Sequence, residues 1–181
     1  MKKALIQLVL GLASVSAFAG EVVDAKNPCP VPCEPYYNAG EFQVDLFFSG
    51  TYINDVFFSE DFYGGGAGVN YFFTRNVGIG ASWNLIDSQL LGSTAHDTNI
   101  DLILRGPFST GPDICSPTAV YVLIGGGVLA DSQNFAQYGF GAGIEHRVSA
   151  GLGLFLEGRY RVIPEVDADF GQFRTGLRIN F

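Results

Sequence analysis

Hydrophobic and polar residues alternate along most of the chain after residue 40. The last nine residues show the pattern clearly, because Phe173, Leu177, Ile179 and Phe181 fall on one parity. The other parity carries only polar residues and glycine: Arg174, Gly176, Arg178 and Asn180. Successive side chains of a β-strand point to opposite faces. This stretch therefore predicts a strand with one apolar face and one polar face.

The same alternation recurs along the chain and predicts eight strands: 41–52, 62–73, 77–85, 98–105, 118–129, 135–148, 152–162 and 173–181. Residues 118–129 are almost all apolar, so their facing cannot be read from polarity. We expect the β-branched residues of this strand to face outward: Val120, Val122, Ile124 and Val128. The connection 106–117, between the fourth and fifth predicted strands, is long and rich in glycine and proline.

The polar faces of these strands carry charged residues: Asp45, Asp101, Arg105, Glu145, Arg147, Glu157, Arg159, Arg161, Arg174 and Arg178. Buried charges must be paired and hydrogen-bonded. We expect them to form a structural network of ion pairs inside the fold. Because strands six to eight are neighbours, Glu145 and Glu157 are predicted to pair with Arg174. A gated polar pathway or a small-ligand site remains the alternative.

Composition indicates where such strands fold. The chain has 24 Gly, 16 Phe and only 15% charged residues, against about 25% in typical proteins. No run of 18 apolar residues follows residue 19, and strands of about 9–11 residues cross a bilayer when tilted and closed into a barrel. We therefore predict an all-β fold, an eight-stranded antiparallel up-and-down transmembrane β-barrel. A secreted β-sandwich or lipocalin-like barrel is the alternative.

The N-terminal residues belong to other segments. Residues 1–19 combine a basic start, an apolar run and the small-residue pattern Ala17-Phe18-Ala19, which predicts a signal peptide cleaved after Ala19. Residues 20–40 form a leader that contains proline and cysteine, and residues 41–181 form the barrel. Removing Lys2 and Lys3 leaves 8 basic and 18 acidic residues, a net charge of −10. This charge excludes nucleic acid as a partner.

Four positions of the last strand, Arg174, Gly176, Ile179 and Phe181, match the terminal-strand signal of bacterial outer-membrane barrels. With the eight-strand pattern, the chain resembles the small OmpA/OmpX-type barrels. The resemblance implies an outer-membrane location in contact with lipid, periplasmic termini, short periplasmic turns and longer external loops. It also implies recognition by the barrel-assembly machinery. Because the sequence ends with the predicted barrel, we expect no added C-terminal peptidoglycan-binding domain. The 106–117 connection departs from the family as a long periplasmic turn, or else indicates a miscounted strand.

The three cysteines, Cys29, Cys33 and Cys115, fall on the periplasmic side in this topology. The periplasm is oxidising, so disulfides persist there. Three thiols leave one over. Either Cys29 and Cys33 form a local bridge, or one of them bonds Cys115 and ties the leader under the barrel. A further hypothesis is an intermolecular disulfide from Cys115 to another envelope protein.

Catalytic and metal signals are weak. His96 is placed in a predicted polar loop, 86–97, with Ser93 and Asp97, and His146 has no matching serine and acid in its register. No phosphate-loop or metal-ligand spacing occurs. We therefore predict a non-enzymatic protein without a cofactor, with an envelope-structural role or a surface-interaction role for its acidic loops. A conduit for small solutes or apolar molecules is the alternative, and a lipid-modifying enzyme is less favoured.

Overall fold

The computed structural model describes residues 36–54, 59–88, 93–108, 116–131 and 133–181. Each strand pairs antiparallel with the next along the chain, and β1 pairs with β8 to close the barrel. The predicted eight-stranded antiparallel fold is therefore confirmed. The strands are β1 (Glu41–Asn54), β2 (Ser59–Phe72), β3 (Val77–Ser88), β4 (Ser93–Pro107), β5 (Thr118–Ala130), β6 (Asn134–Ser149), β7 (Leu152–Ile163) and β8 (Ala168–Asn180).

The long connection after β4 is part of this topology and not a miscounted strand. β4 ends at Pro107 and β5 begins at Thr118, and the two strands pair directly in the closed order. The Phe108 N–H donates to the Thr118 carbonyl over 3.2 Å, so the two ends of the connection lie side by side.

The turn between β2 and β3 is short, and the Thr74 hydroxyl accepts from the Val77 N–H over 3.0 Å.

The predicted loop over residues 86–97 was wrong. β3 continues to Ser88 and β4 begins at Ser93, so His96 lies within a strand and stacks on Trp83 with ring centroids 5.9 Å apart. A strand that faces a polar lumen carries polar residues on its inner face. Beyond the band of apolar residues on its outer face, such a strand becomes polar on both faces and looks like a loop in sequence.

Other strand boundaries differ for the same reason. β8 begins at Ala168, five residues before the predicted start at Phe173, and β2 begins at Ser59 instead of residue 62. A short 3₁₀ helix, Pro164–Val166, precedes β8, and Asp167 leaves it in the left-handed conformation with φ of 51°. These strand ends extend beyond the outward apolar residues on which the prediction relied.

The two faces of the barrel follow the predicted alternation. Apolar side chains cover the outer face on all eight strands, and the predicted facing of β5 is confirmed because Val120, Val122, Ile124 and Val128 are all exposed. Inward positions of three strands carry glycines whose added Cβ would overlap the carbonyl of a neighbouring strand: Gly64, Gly66, Gly125, Gly127 and Gly139. Because these glycines have no side chain, they leave room in the lumen for the long arginine side chains. In the described part of the chain, no helix is long and apolar enough to cross a bilayer.

The predicted signal peptide, most of the predicted leader and all three cysteines lie outside the described residues. Their cleavage and disulfide pairing stay predictions. The described chain begins at Tyr36, and residues 36–40 enter the barrel opening as set out below.

Candidate functional site

The lumen holds a balanced set of buried charges. All ten predicted residues face inward and are buried, and the structure adds the carboxylates of Glu41 and Asp97. The set therefore comprises six carboxylates and six guanidinium groups, so its formal charge is zero. The twelve residues form two clusters at different heights in the barrel.

The lower cluster lies at the end of the barrel where β1 begins and β8 ends. Its ion pairs join Arg178 to Asp45 over 2.7 Å and to Glu145 over 2.5 Å. Arg147 reaches Glu145 over 3.0 Å and also contacts Glu41. Glu41 in turn accepts from Arg105 over 2.9 Å. Every charged group of this cluster has an opposite charge within hydrogen-bond distance, as a desolvated ion needs.

Residues just before β1 close this end of the barrel. Tyr37 is only 1% exposed, and its ring lies between two guanidinium groups, with Arg105 Cζ 4.6 Å and Arg147 Cζ 4.4 Å from its centroid. Its hydroxyl donates to the Pro117 carbonyl over 2.8 Å, while Arg147 donates to the Tyr36 carbonyl. Burial raises the pKa of the Tyr37 phenol above its usual range, so the hydroxyl remains a donor at neutral pH. We call Tyr37 the stopper.

The upper cluster lies in the half of the lumen farther from the chain termini. Asp101 accepts from Arg159 over 2.5 Å and from Arg161 over 3.0 Å. Arg159 also contacts Glu157. Among the described residues, Asp101 is the one carboxylate that pairs with Arg161, whose side chain is fully buried. The position of Asp101 therefore determines whether Arg161 is compensated.

The predicted pairing of Glu145 and Glu157 with Arg174 was wrong in its partners. The structure pairs Glu145 with Arg147 and Arg178, and Glu157 with Arg159. Arg174 pairs with Asp97 over 3.2 Å and donates to the Ser82 hydroxyl over 3.0 Å. Because an arginine side chain is long, it reaches across the narrow lumen from β8 to β3 and β4 instead of stopping at the next strand.

An aromatic layer separates the two clusters. The rings of Phe47 and Phe155 meet edge to face with centroids 6.4 Å apart. The guanidinium of Arg174 from the upper cluster lies 4.6 Å from the Phe47 ring, and Arg178 from the lower cluster lies 4.8 Å from the Phe155 ring. Phe47 is the one apolar residue among positions 41, 43, 45, 47, 49 and 51, which share the polar face of the first predicted strand. Its place in this layer explains the exception. The layer contains an internal cavity of about 20 Å³, which is room for about one water molecule.

The histidines do not join the lumen. His96 is exposed on the outer face, whereas its neighbour Asp97 is buried inside, so the two cannot act together with Ser93 as a triad. His146 also faces outward, and its Nδ1 lies 2.9 Å from the Thr118 hydroxyl. In the described ranges, no three His, Cys, Asp or Glu side chains are placed to hold a metal ion.

The four residues of the predicted assembly signal have different surroundings in β8. Arg174 is paired in the upper cluster, and Gly176 faces the lumen where β8 meets β1. Ile179 and Phe181 face outward, and the Phe181 ring lies 6.1 Å from that of Phe42. The Phe181 N–H also donates to the Phe42 carbonyl over 2.8 Å. All four residues therefore lie in the strand that closes the barrel, and this structural role is separate from the predicted recognition by the assembly machinery.

Sequence reasoning omitted three residues that matter here. Asp97 was assigned to a loop, and Glu41, the first residue of the first predicted strand, was left out of the predicted inward charges. Tyr37 was included in the leader because prolines precede it. The parity of Asp97 with Asn99 and Asp101 was the available signal for the first of these.

No protein-family model matches the sequence, and no curated protein matches it. Solved structures share its fold. Neisserial surface protein A superposes with a TM-score of 0.64 at 15% identity, covering 78% of this chain and 99% of that chain. The N-terminal β-barrel domain of OprF from Pseudomonas aeruginosa gives 0.57 at 16% identity, covering 80% and 99%. Ail from Yersinia pestis gives 0.57 at 12% identity, covering 79% and 99%. The chain therefore has the fold of the small eight-stranded outer-membrane barrels.

Proposed function

We propose that this protein is a non-enzymatic outer-membrane β-barrel with a closed lumen, which serves the envelope as a structural element and presents acidic loops at one end. The observation that carries the proposal is the filled lumen. Two neutral clusters of ion pairs, an aromatic layer between them and the stopper occupy the interior. Such an interior is suited to stability, and it favours a closed lumen over a path for solutes.

The outer face supports the membrane location. Large apolar side chains are exposed on all eight strands, as they are where a barrel faces lipid. The fold of the neighbouring structures supports the outer membrane in particular. In this setting the termini lie in the periplasm, and the barrel-assembly machinery inserts the chain. We also propose that the chain is a barrel of the OmpA/OmpX type in particular.

The end of the barrel opposite the termini is acidic in sequence. The residues at and between the strand ends there include eight acids and no lysine or arginine: Asp55, Glu60, Asp61, Asp87, Asp131, Glu165, Asp167 and Asp169. The lumen charges cancel, so these acids account for most of the net charge. Ail has been solved in complex with the heparin analogue sucrose octasulfate. The acidic end of this chain instead favours a cationic surface partner over a polyanion.

Conductance tests the closed lumen. Protein reconstituted into planar bilayers should show no stable ion channels, because paired and buried side chains fill the lumen. A conduit, the alternative function, requires steady conductance steps from the wild-type protein. A variant with Arg174, Phe47 and Phe155 all changed to alanine would open the aromatic layer and serves as the positive control.

The stopper gives a second prediction. Tyr37→Ala should destabilise the barrel by about 3 kcal/mol, as expected for loss of a buried aromatic side chain. It also removes two cation–π contacts and the hydrogen bond to Pro117. Tyr36→Ala is the matched control, since Tyr36 holds Arg147 through its backbone carbonyl. Urea unfolding in detergent compares the two. Equal unfolding midpoints for both variants would show that the Tyr37 side chain does not stabilise this end of the barrel.

The cysteine proposal is tested in isolated membranes. Blocking thiols at lysis and running non-reducing electrophoresis should show a reducible higher-mass band if Cys115 joins another envelope protein. That band should disappear in Cys115→Ser. A monomer band alone would contradict the intermolecular link and leave the cysteines a local structural role.

A further inference from the structure

The end of the lumen opposite the termini has apolar side chains on its inner face. Phe62 of β2 pairs with the buried Thr51 of β1. Leu129 of β5 pairs with the buried Asp97 of β4 and with Phe135 of β6. Phe62, Leu129 and Phe135 therefore face the lumen, where they are half-buried. Together with three buried inward residues at this end they form what we call the apolar mouth: Ile86, Ile163 and Phe170.

Lipid does not cover the exposed part of the apolar mouth. A bilayer covers the outward side chains of a barrel, whereas these side chains point into the lumen. A group of apolar side chains that stays partly exposed within a polar surface is typical of a protein-interaction site. The apolar mouth therefore fits an apolar side chain of another protein.

The rim around the apolar mouth is acidic. Exposed carboxylates border three of the four connections at this end: Asp87, Asp131, Glu165 and Asp167. Residues 53–61, 86–97, 129–136 and 163–169 contain no lysine or arginine. The rim therefore attracts cations and repels anions. A second copy of this chain is disfavoured as the occupant, because two acidic rims would face each other.

One buried acceptor near the apolar mouth has no donor. Gln137 lies two residues from Phe135 on the same inward face and is only 4% exposed. Its Nε2 donates to the side chains of Asp97 and Asn99, but its Oε1 has no hydrogen-bond partner within the described ranges. Leaving a buried acceptor unpaired costs free energy. An N–H donor that enters from the rim would satisfy it.

We propose that the outer mouth binds an amphipathic cationic segment of a partner protein. The segment places apolar side chains on the apolar mouth, one lysine at Gln137 and further basic residues on the acidic rim. The proposal rests on the surface-interaction role proposed above and names the class of partner for it. A small inorganic cation lacks the apolar contact, and a polyanion is repelled by the rim.

Peptide binding to the protein in phosphatidylcholine nanodiscs tests the site. The probe is a fluorescent hexapeptide with two lysines on each side of two phenylalanines, and empty nanodiscs measure its binding to lipid alone. Serines in place of the phenylalanines should weaken binding by about tenfold. Glutamates in place of the lysines should abolish it. Trimethylated lysines keep the charge but donate no hydrogen bond, and should weaken binding by about threefold.

Variants of the protein locate the contact. Phe135→Ser should weaken binding of the probe by about fivefold, because it removes part of the apolar mouth. Phe108→Ser is the matched control, since Phe108 is an exposed phenylalanine at the opposite end of the barrel, and its affinity should equal that of the wild type. Leu129→Ala provides a second loss if Phe135→Ser fails to fold. Combining Asp131→Asn with Asp167→Asn should weaken binding at low salt and have little effect at high salt.

Three results would overturn the site. These are equal affinities of the wild type and Phe135→Ser, equal affinities of the phenylalanine and serine peptides, and equal affinities of the methylated and unmethylated peptides. The conductance measurement tests the closed lumen separately. A silent lumen without peptide binding would contradict this site alone, whereas steady channels with peptide binding retained would contradict the closed lumen and support the site.

Discussion

Replacing Asp101 with alanine is expected to destabilise the barrel by about 3–5 kcal/mol, because it strands a buried charge. Asp101 is the carboxylate that pairs with Arg161, and it also accepts from Arg159. Arg159 keeps Glu157 after the change, but Arg161 does not keep a carboxylate among the described residues. Urea unfolding of the folded protein in detergent measures the loss.

Two further variants show whether the effect comes from the stranded charge. Asp101→Ala combined with Arg161→Met should recover most of the stability, because the uncompensated guanidinium is removed. Asp131→Ala removes an exposed acid between β5 and β6 and should change the free energy of unfolding by less than about 0.5 kcal/mol. If the double variant is as unstable as Asp101→Ala, the pairing of Asp101 with Arg161 is not what stabilises the upper cluster.

Gly176→Ala should impair closure of the barrel, with a cost of about 3 kcal/mol. A Cβ at this position would overlap the Leu46 carbonyl oxygen and lie 2.7 Å from the Phe47 Cα, both on the facing strand β1. Backbone atoms cannot move aside as a flexible side chain can. Gly171→Ala, five residues earlier on the same strand, enters open space and should be tolerated.

Refolding from urea into detergent measures this effect without any assembly machinery. A yield that falls for Gly176→Ala and not for Gly171→Ala would show that the strand geometry itself requires this glycine. Normal refolding of Gly176→Ala, combined with poor insertion in cells, would instead indicate that the machinery reads Gly176 and that the close approach to β1 can relax.

The alternation of polarity was sufficient to predict the strands and most of their facing. It works because the inward positions of this barrel carry the charged side chains, whereas its outward positions carry mostly apolar ones. Even in β5, where polarity gave no signal, the β-branched residues were correctly placed outside. The inward charges were also located in this way, since charged residues on a lipid face are costly.

The partners of these charges could not be predicted. Strand order tells which residues are adjacent, but an arginine in a narrow lumen reaches strands that are not adjacent, as Arg174 does in contacting Asp97. The pairing then depends on which inward positions are glycine and leave room. Tyr37 was missed for another reason, because its contacts are with distant residues such as Pro117 and its own neighbours in sequence show no strand pattern.

The seam between β1 and β8 has a consequence for folding kinetics. It brings together Asp45 and Arg178, which are 133 residues apart in sequence, as one of the ion pairs of the lower cluster. Contacts between such distant residues form late, because the loop-closure entropy must first be overcome. The lumen charges therefore remain hydrated while the sheet is still open, and they lose their water together when the last seam forms. We expect this shared dehydration to make seam closure the slow step of folding.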